Sequence, residues 1–330
     1  GAVGVIVYQT TSNALFPPGA LTTTGIPLVM IGRDNGDALR EHLRANPDAQ
    51  VALDPAIEAV PAPSGEVAIF SSQGPATGTN AIKPEVIAVG TDLYLATQRF
   101  DPNGDMFDAS GYTRAEGTSF AGPIVAGAAA LVKQRNPRLT PVQVKSAVVN
   151  TADPRIGDYD YDGNPIDALQ SGMGAGQLDA EFAVQANVAA EPATVSFGLV
   201  RQLPLSSQVR FVNTSNASVN LRFSVVQVVR ADGVNVTVSP ATATVGVGQV
   251  ATVTLRVEGT LPGENWYEGE ILAEGGAVPL RVPYSYLIGN NTPFNVFPLT
   301  SNGFTALATG RVNRLNVKFV DKQGAPAAGV

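Results

Sequence analysis

Ser119 lies in the run Gly117-Thr118-Ser119-Phe120-Ala121-Gly122-Pro123-Ile124-Val125-Ala126-Gly127, where a loop passes into a stretch with no charge until Lys133. Gly117 opens backbone conformations closed to residues with a Cβ. A serine at a helix start can cap the helix and point its hydroxyl outward at the positive end of the dipole. The first-turn N–H groups lack intrahelical acceptors and are free to meet a developing oxyanion. The chemistry on offer is nucleophilic attack on an acyl group. The strand-to-helix elbow Gly-x-Ser-x-Gly does not fit, because Ala121 holds its last position.

A nucleophilic serine needs a base to take its proton and an acid to orient that base. The only histidine, His42, sits in Asp34–Ala45, where Leu39 and Leu43 recur one turn apart and the other faces are charged. That pattern predicts a short amphipathic helix with Leu39 and Leu43 on its buried side and His42 as a solvated surface residue, not a general base. The polypeptide by itself is expected to be catalytically inactive.

The run 117–127 resembles the nucleophile motif of the subtilisin-like serine proteases, Gly-Thr-Ser-Met-Ala-x-Pro-x-x-x-Gly, with Phe120 in place of Met. Phe70-Ser71-Ser72-Gln73-Gly74-Pro75, then Lys83-Pro84-Glu85 and Gly90, are similar to the family's Phe-Ser-Ser-x-Gly-Pro and Lys-Pro-Asp-x-x-x-Pro-Gly segments, with Val89 where the family has proline. The resemblance implies a secreted serine endopeptidase, extracellular or on the cell envelope, that acts on protein or peptide substrates and needs no cofactor for its chemistry. Ser119 is then the catalytic nucleophile, and Gly117, Thr118 and Ser119 form the nucleophile and oxyanion loop. The family's Asp-Thr/Ser-Gly and His-Gly-Thr-His motifs are absent, and its oxyanion asparagine also lies upstream of the serine. The catalytic histidine and aspartate are therefore expected from a missing upstream part of the same protease. The alternative is a non-catalytic surface or binding scaffold derived from a subtilase.

The 330 residues suit two or three domains, and 44 % hydrophobic residues with 34 glycines and 24 prolines suit a turn-rich globular chain. A net charge of −7 argues against nucleic acid or an anionic membrane as partner. The absence of cysteine excludes disulfides and thiolate metal sites. The longest apolar run, Phe120–Val132, is 13 residues, short of the roughly 18 needed to span a bilayer.

The expected fold class is α/β plus all-β. Residues 1–60, with strands at 3–8 and 26–31, the His42 helix and a last run at 50–53, resemble a truncated protease-associated αβ insert that either gates substrates or is passive. Residues 61–190 read as the C-terminal part of a three-layer α/β/α catalytic domain. Its expected strands are 67–70, 86–89 and 93–96, with helices at 118–134 and from Pro141 to Asn150, the second capped by Thr140. Gly174-Ala175-Gly176-Gln177-Leu178-Asp179 resembles the run that closes the family's catalytic domain. A helix apolar on every face, as 118–134 is, requires burial on every face, which three short strands cannot supply. The chain therefore reads as a C-terminal fragment whose sheet is completed by upstream residues. Residues 191–289 alternate with period two between turns and resemble a fibronectin-type-III-like β-sandwich; residues 290–330 start a further β-module.

Asp158, Asp160 and Asp162 are spaced like the first half of a calcium loop, but Leu169 stands where the bidentate glutamate belongs. They are candidates for structural calcium against a solvated acidic loop, and Asp101, Asn103 and Asp105 form a weaker cluster. The Asn-x-Ser/Thr sequons at Asn213, Asn216, Asn235 and Asn290 read most simply as turn and strand chemistry.

Overall fold

Val5–Tyr8 (β1) and Leu28–Ile31 (β2) are apolar tetrapeptides that pair in parallel, Val5 opposite Leu28 and Tyr8 opposite Ile31. In this computed structural model, which describes residues 2–8, 10, 25–53, 64–159, 164–299 and 317–327, they belong to the first of two units, Gly1–Ala62 and Pro63–Val330. Helix α1, Arg33–Ala45, carries Asp34 in its first turn and His42 and Arg44 in its last, charges that complement the helix dipole. Gly36 is required by close approach, since a Cβ there would meet the Tyr8 ring at 2.2 Å. Arg40 donates to the Tyr8 hydroxyl at 2.8 Å and lies over its ring. Leu43, expected on the buried side, is 38 % exposed. Residues 50–53 form no strand.

In the second unit, Leu93–Ala96 (β3) and Tyr112–Ala115 (β4) form an antiparallel pair that leads into α2, Thr118–Arg135. Helix α3, Pro141–Asn150, opens on a complete capping box between Thr140 and Gln143. Gly157–Tyr159 (β5) and Pro165–Asp167 (β6) form a second short pair. Helix α4 is Gln170–Met173, and α5, Ala180–Gln185, is capped by Asp179. Val132, Leu139, Ala147, Val148 and Ala183 join α2, α3 and α5 in one apolar cluster.

The parallel sheet expected over 64–190 is not formed among the described residues. The runs 67–70 and 86–89 make only single bridges nearby, Glu66 to Gly157 and Ile87 to Gln177. A strand needs partners for its N–H and C=O rows, and no described segment provides them. Helix α2 shows the consequence: it buries Ala128 and Val132, while Ile124 is 40 % and Leu131 51 % exposed. The burial on every face expected from its composition is therefore not met here.

The remaining strands are Val188–Glu191 (β7), Val195–Leu199 (β8), Leu205–Asn213 (β9), Val219–Val229 (β10), Val234–Ser239 (β11), Thr242–Val245 (β12), Val250–Gly259 (β13), Asn265–Glu274 (β14), Leu280–Ile288 (β15), Asn295–Pro298 (β16) and Val317–Val320 (β17). One sheet runs β12-β10-β14-β15-β8 and another β11-β13-β9-β7. Both line one core, in which Phe211 of β9 meets Phe223 of β10 with ring centroids 4.8 Å apart, among Val253, Leu255, Ile271 and Val282. Strand β10 begins with a buried/exposed alternation. Strand β15 is buried almost throughout, because its other face meets α3, where the fully buried Asn150 donates to the carbonyls of Ala193 and Arg281 at 2.7 and 2.8 Å. Strands β16 and β17 form a separate antiparallel pair. From β17, Lys318 donates to the Thr77 carbonyl and, at 3.1 Å, to Asn80 Oδ1.

Asn213 is fully buried. Its amide donates to the carbonyls of Ala217 and Val245 and accepts from the Ser215 N–H and hydroxyl, which ties the β9–β10 turn to the end of β12 and leaves no room for a glycan. Replacing it strands buried partners, so Asn213→Ala should lower stability by about 1–3 kcal/mol. Asn216→Ala, at an exposed position, should leave the urea midpoint unchanged; equal midpoints for the two variants would contradict this assignment.

Candidate active site

The β3–β4 pair is braced outside its backbone ladder by stacked Tyr94 and Tyr112 rings, 5.5 Å apart, and by an Arg114–Asp92 ion pair. The loop between these strands turns around Gln98, whose amide donates to the Asp101 and Asp105 carbonyls and accepts from the Phe100 and Asp101 N–H groups. Two residues after β4, the chain reaches Gly117 at φ 145° and ψ 150°, a region essentially reserved for glycine. Its N–H donates to the Gly90 carbonyl at 2.7 Å. Gly90 lies so close beneath that a Cβ there would stand 3.1 Å from the Gly117 carbonyl oxygen.

Gly117 is the N-cap of α2, which makes Ser119 the second helical residue, and no side chain caps this helix. The capping role expected of Ser119 is therefore corrected: the N-cap position, whose side chain would accept from the first-turn N–H groups, belongs to Gly117. Ser119 is exposed, and its hydroxyl makes no hydrogen bond among the described residues. Phe120 donates its N–H to the Gly117 carbonyl at 3.0 Å, and its ring lies 3.6 Å from where a Gly117 Cβ would be. Pro123, inside the helix, lacks the N–H that would otherwise bond the Ser119 carbonyl.

The other family-like segments converge on this loop. Gly74 donates to the Ser171 carbonyl at 2.7 Å and packs so tightly on Lys83 that a Cβ would meet its carbonyl oxygen at 2.4 Å. Glu85 pairs with Lys83 and with Lys145 of α3, each at 2.6 Å. Burial opposes its ionisation, but the two ammonium groups outweigh that and hold the carboxyl below the ordinary range. Gly174, at φ 64°, lies against the Glu85 backbone. Ala175 N–H then reaches the Glu85 carbonyl, Ile87 N–H the Gly176 carbonyl and Leu178 N–H the Ile87 carbonyl, at 3.0, 2.9 and 2.7 Å. Three separated motifs thus become one hydrogen-bonded layer beneath the Gly117 loop. Alongside it, a groove of about 460 Å³ between α2 and α3 is lined by Val125, Ala129, Val144, Lys145 and Glu85, without Ser119.

His42 is exposed on α1, in the other unit. Asp158 is engaged within the fold, its Oδ1 accepting from the Tyr159 N–H at 2.8 Å and its Oδ2 from Gln73 Nε2 at 3.5 Å; Asp160 and Asp162 lie outside the described residues. Among the described residues no three acidic or histidine side chains gather as a metal-binding set, and Asp101 Oδ1 simply closes a turn onto the Asn103 N–H. Sequence reasoning missed the part played by Gly90, a close approach visible only in three dimensions. It also missed Gln170 and Glu268, both buried. For Glu268 a signal existed: Trp266, Glu268 and Glu270 recur with period two on one face of an apolar strand.

Residues 5–180, just over half of the chain, match the Subtilase family. The chain belongs to that family. This subtilase chain is similar to the Minor extracellular protease Vpr of Bacillus subtilis, 27 % identical over 86 % of this chain and 34 % of the relative. It is also similar to the Subtilisin-like protease SBT3.4 of Arabidopsis thaliana, 33 % identical over 46 % of this chain and 19 % of the relative. It thus spans about a third and about a fifth of the length of these curated relatives. Among solved structures, the secreted serine protease VesC from Vibrio cholerae aligns at TM-score 0.25 and 16 % identity over 30 % of this chain and 22 % of that one, a likeness too low to bear on the fold. In this subtilase no described helix is long and apolar enough to cross a membrane.

The geometry separates a capping serine from a free one. Ser119→Ala should change unfolding free energy by less than about 0.5 kcal/mol, where loss of a cap would cost about 1 kcal/mol. Gly117→Ala should cost roughly 1–3 kcal/mol through backbone strain alone. Urea unfolding of both variants reads the difference.

Proposed function

We propose that this chain is the nucleophile-bearing part of a secreted serine endopeptidase. The observation that carries the reading is the run 117–127, present as a glycine turn that opens into α2 with an exposed, unbonded Ser119 hydroxyl at its second residue. In this reading Ser119 Oγ attacks the carbonyl carbon of a peptide bond while its proton passes to an imidazole. The tetrahedral oxyanion is met by the Ser119 N–H and by an asparagine amide from elsewhere in the protease. The C–N bond then breaks, the amine leaves with the proton, and water hydrolyses the ester on Ser119. Gly117 and Thr118 shape the loop, and Glu85 with Lys83 and Lys145 fixes the layer beneath it. The imidazole and its orienting carboxylate come from a polypeptide segment outside these residues, since His42 is a surface residue of α1.

The units fit that role as a protease-associated insert over 1–60, the C-terminal part of a three-layer catalytic domain over 61–190, a fibronectin-type-III-like sandwich over 191–289 and a further β-module from 290. The name of the Bacillus relative, an extracellular protease, favours an extracellular or cell-envelope location and protein or peptide substrates. One observation favours the second reading, a non-catalytic scaffold derived from a subtilase: the single histidine of the sequence, His42, is an exposed residue of α1.

Casein hydrolysis distinguishes the two. The chain alone should be inactive; with the upstream segment of its parent supplied in trans it should cleave casein, and Ser119→Ala should remove that activity. Cleavage by the chain alone that is lost in His42→Ala would overturn the assignment of the base. Inactivity with the upstream segment bound would favour the scaffold.

A further inference from the structure

Away from Ser119, two carboxyls are buried with no cation to pair them among the described residues: Asp321, which accepts from three backbone N–H groups, and Glu268. Glu268 of β14 is 1 % exposed. The odd-numbered residues Tyr267, Ile271 and Ala273 of this strand enter the core between the two sheets, so Trp266, Glu268 and Glu270 lie on its opposite face. There Trp266 packs with Ile82, Leu287 and Ala325, and Glu268 meets the start of α4. Its Oε1 and Oε2 accept from the Gln170 N–H at 3.0 and 3.1 Å, and Oε2 also accepts from Trp266 Nε1 at 2.6 Å. The Gln170 side chain, equally buried, donates to the Gly269 carbonyl at 2.7 Å.

This seam is wired to the nucleophile loop through backbone. Gly174 N–H bonds the Gln170 carbonyl, Gly74 N–H the Ser171 carbonyl, Ala175 N–H the Glu85 carbonyl, Ile87 N–H the Gly176 carbonyl and Gly117 N–H the Gly90 carbonyl, all between 2.7 and 3.0 Å. A shift of α4 against β14 therefore acts on the same layer that fixes Gly117.

The surroundings suit an uncharged Glu268. Because Oε2 alone can accept from both donors, Oε1 can carry a proton without losing either. On β14, Glu270 lies two residues away but is committed to Arg281 of β15, which itself lies within the electrostatic reach of Asp153. Strand β15 also places Ser285 opposite Glu268 and carries the Tyr284 hydroxyl, which would lie 2.5 Å from a Cβ on Gly269. Strand β10 sets Val229 opposite Glu268. On the α4 side, Asp158 packs on Gly172. Burial pushes the Glu268 carboxyl up to about 7, against the two N–H donors and with help from the Glu270 charge.

We infer that Glu268, held as a neutral carboxylic acid at the seam between α4 and β14, is a positioning residue through which the β-sheet domain sets the Gly117–Ser119 loop, and that its ionisation loosens that setting. The functional meaning rests on Ser119 being the nucleophile, but the coupling itself does not. The sign follows from linkage: a carboxyl raised in the closed seam stabilises closure below its free-state value, and that stabilisation is lost as pH rises through about 7.

Hydrogen exchange of the whole chain, followed in peptides covering 84–92 and 112–122 and corrected for intrinsic rates, tests this without requiring protease activity. Between about pH 6 and about pH 8.5, exchange in these peptides should quicken about tenfold, while a peptide within β13 serves as the pH-independent reference. Glu268→Gln keeps the shape, cannot ionise, and should hold the slow rate at both pH values. An equal rise in Glu268→Gln and wild type would overturn the inference. If Glu268→Gln does not fold, Trp266→Phe removes one donor that favours the ionised form and should move the wild-type transition to higher pH; an unmoved transition would overturn it equally. Casein hydrolysis that fails while the exchange result holds would indict the protease reading alone.

Discussion

The approach of Gly117 to Gly90 constrains everything else near Ser119. Two loop backbones meet without side chains between them, and the bond from the Gly117 N–H to the Gly90 carbonyl holds the chain where φ reaches 145°. A residue with a Cβ is disfavoured at either position, at Gly117 by backbone conformation and at Gly90 by lack of space. Because α2 starts on the next residue, the direction of its first turn, and with it the exposure of the Ser119 hydroxyl, is set by that contact and not by a side-chain cap.

Below the contact the layer is polar and backbone-driven; behind it, α2 is held by small apolar packing. Val132 is enclosed by α3 and α5, with Val125 and Ala129 packed beside it, while Ile124 and Leu131 face outward. The helix is thus oriented by its N-terminal turn and by one flank. Its apolar composition exceeds what these residues bury, and this imbalance is the main physical difference between the helical part and the two-sheet part, where Phe211, Phe223 and Leu255 have neighbours on all sides.

Local rules made much of this legible. Thr140 and Pro141 announced the start of α3 through capping chemistry alone, and the period-two alternation over 191–289 marked the two-sheet part. Strand β15 escaped because it is covered on both faces and so shows no alternation. The runs 67–70 and 86–89 have strand composition without strand partners among the described residues, and composition cannot tell the two situations apart. At the site, the residue types of 117–127 identified the serine, but the type of residue 119 carries no information on whether its hydroxyl caps the helix or points free; that depends on the helix beginning at Thr118. Gln170 was invisible for a similar reason, since it is buried by a segment about a hundred residues distant in sequence, and the same contact buries Glu268, which the sequence marks only by the period-two recurrence of Trp266, Glu268 and Glu270.

Lys318 carries one further implication. Its ammonium group reaches Thr77 and Asn80 across separations of 241 and 238 residues, and contacts of such high order are entropically late to close. During vectorial synthesis the stretch around Thr77 leaves the ribosome long before the residue that completes it. The clasp closes only once β17 has been made, and a nascent chain halted anywhere before it carries that stretch without its cationic partner.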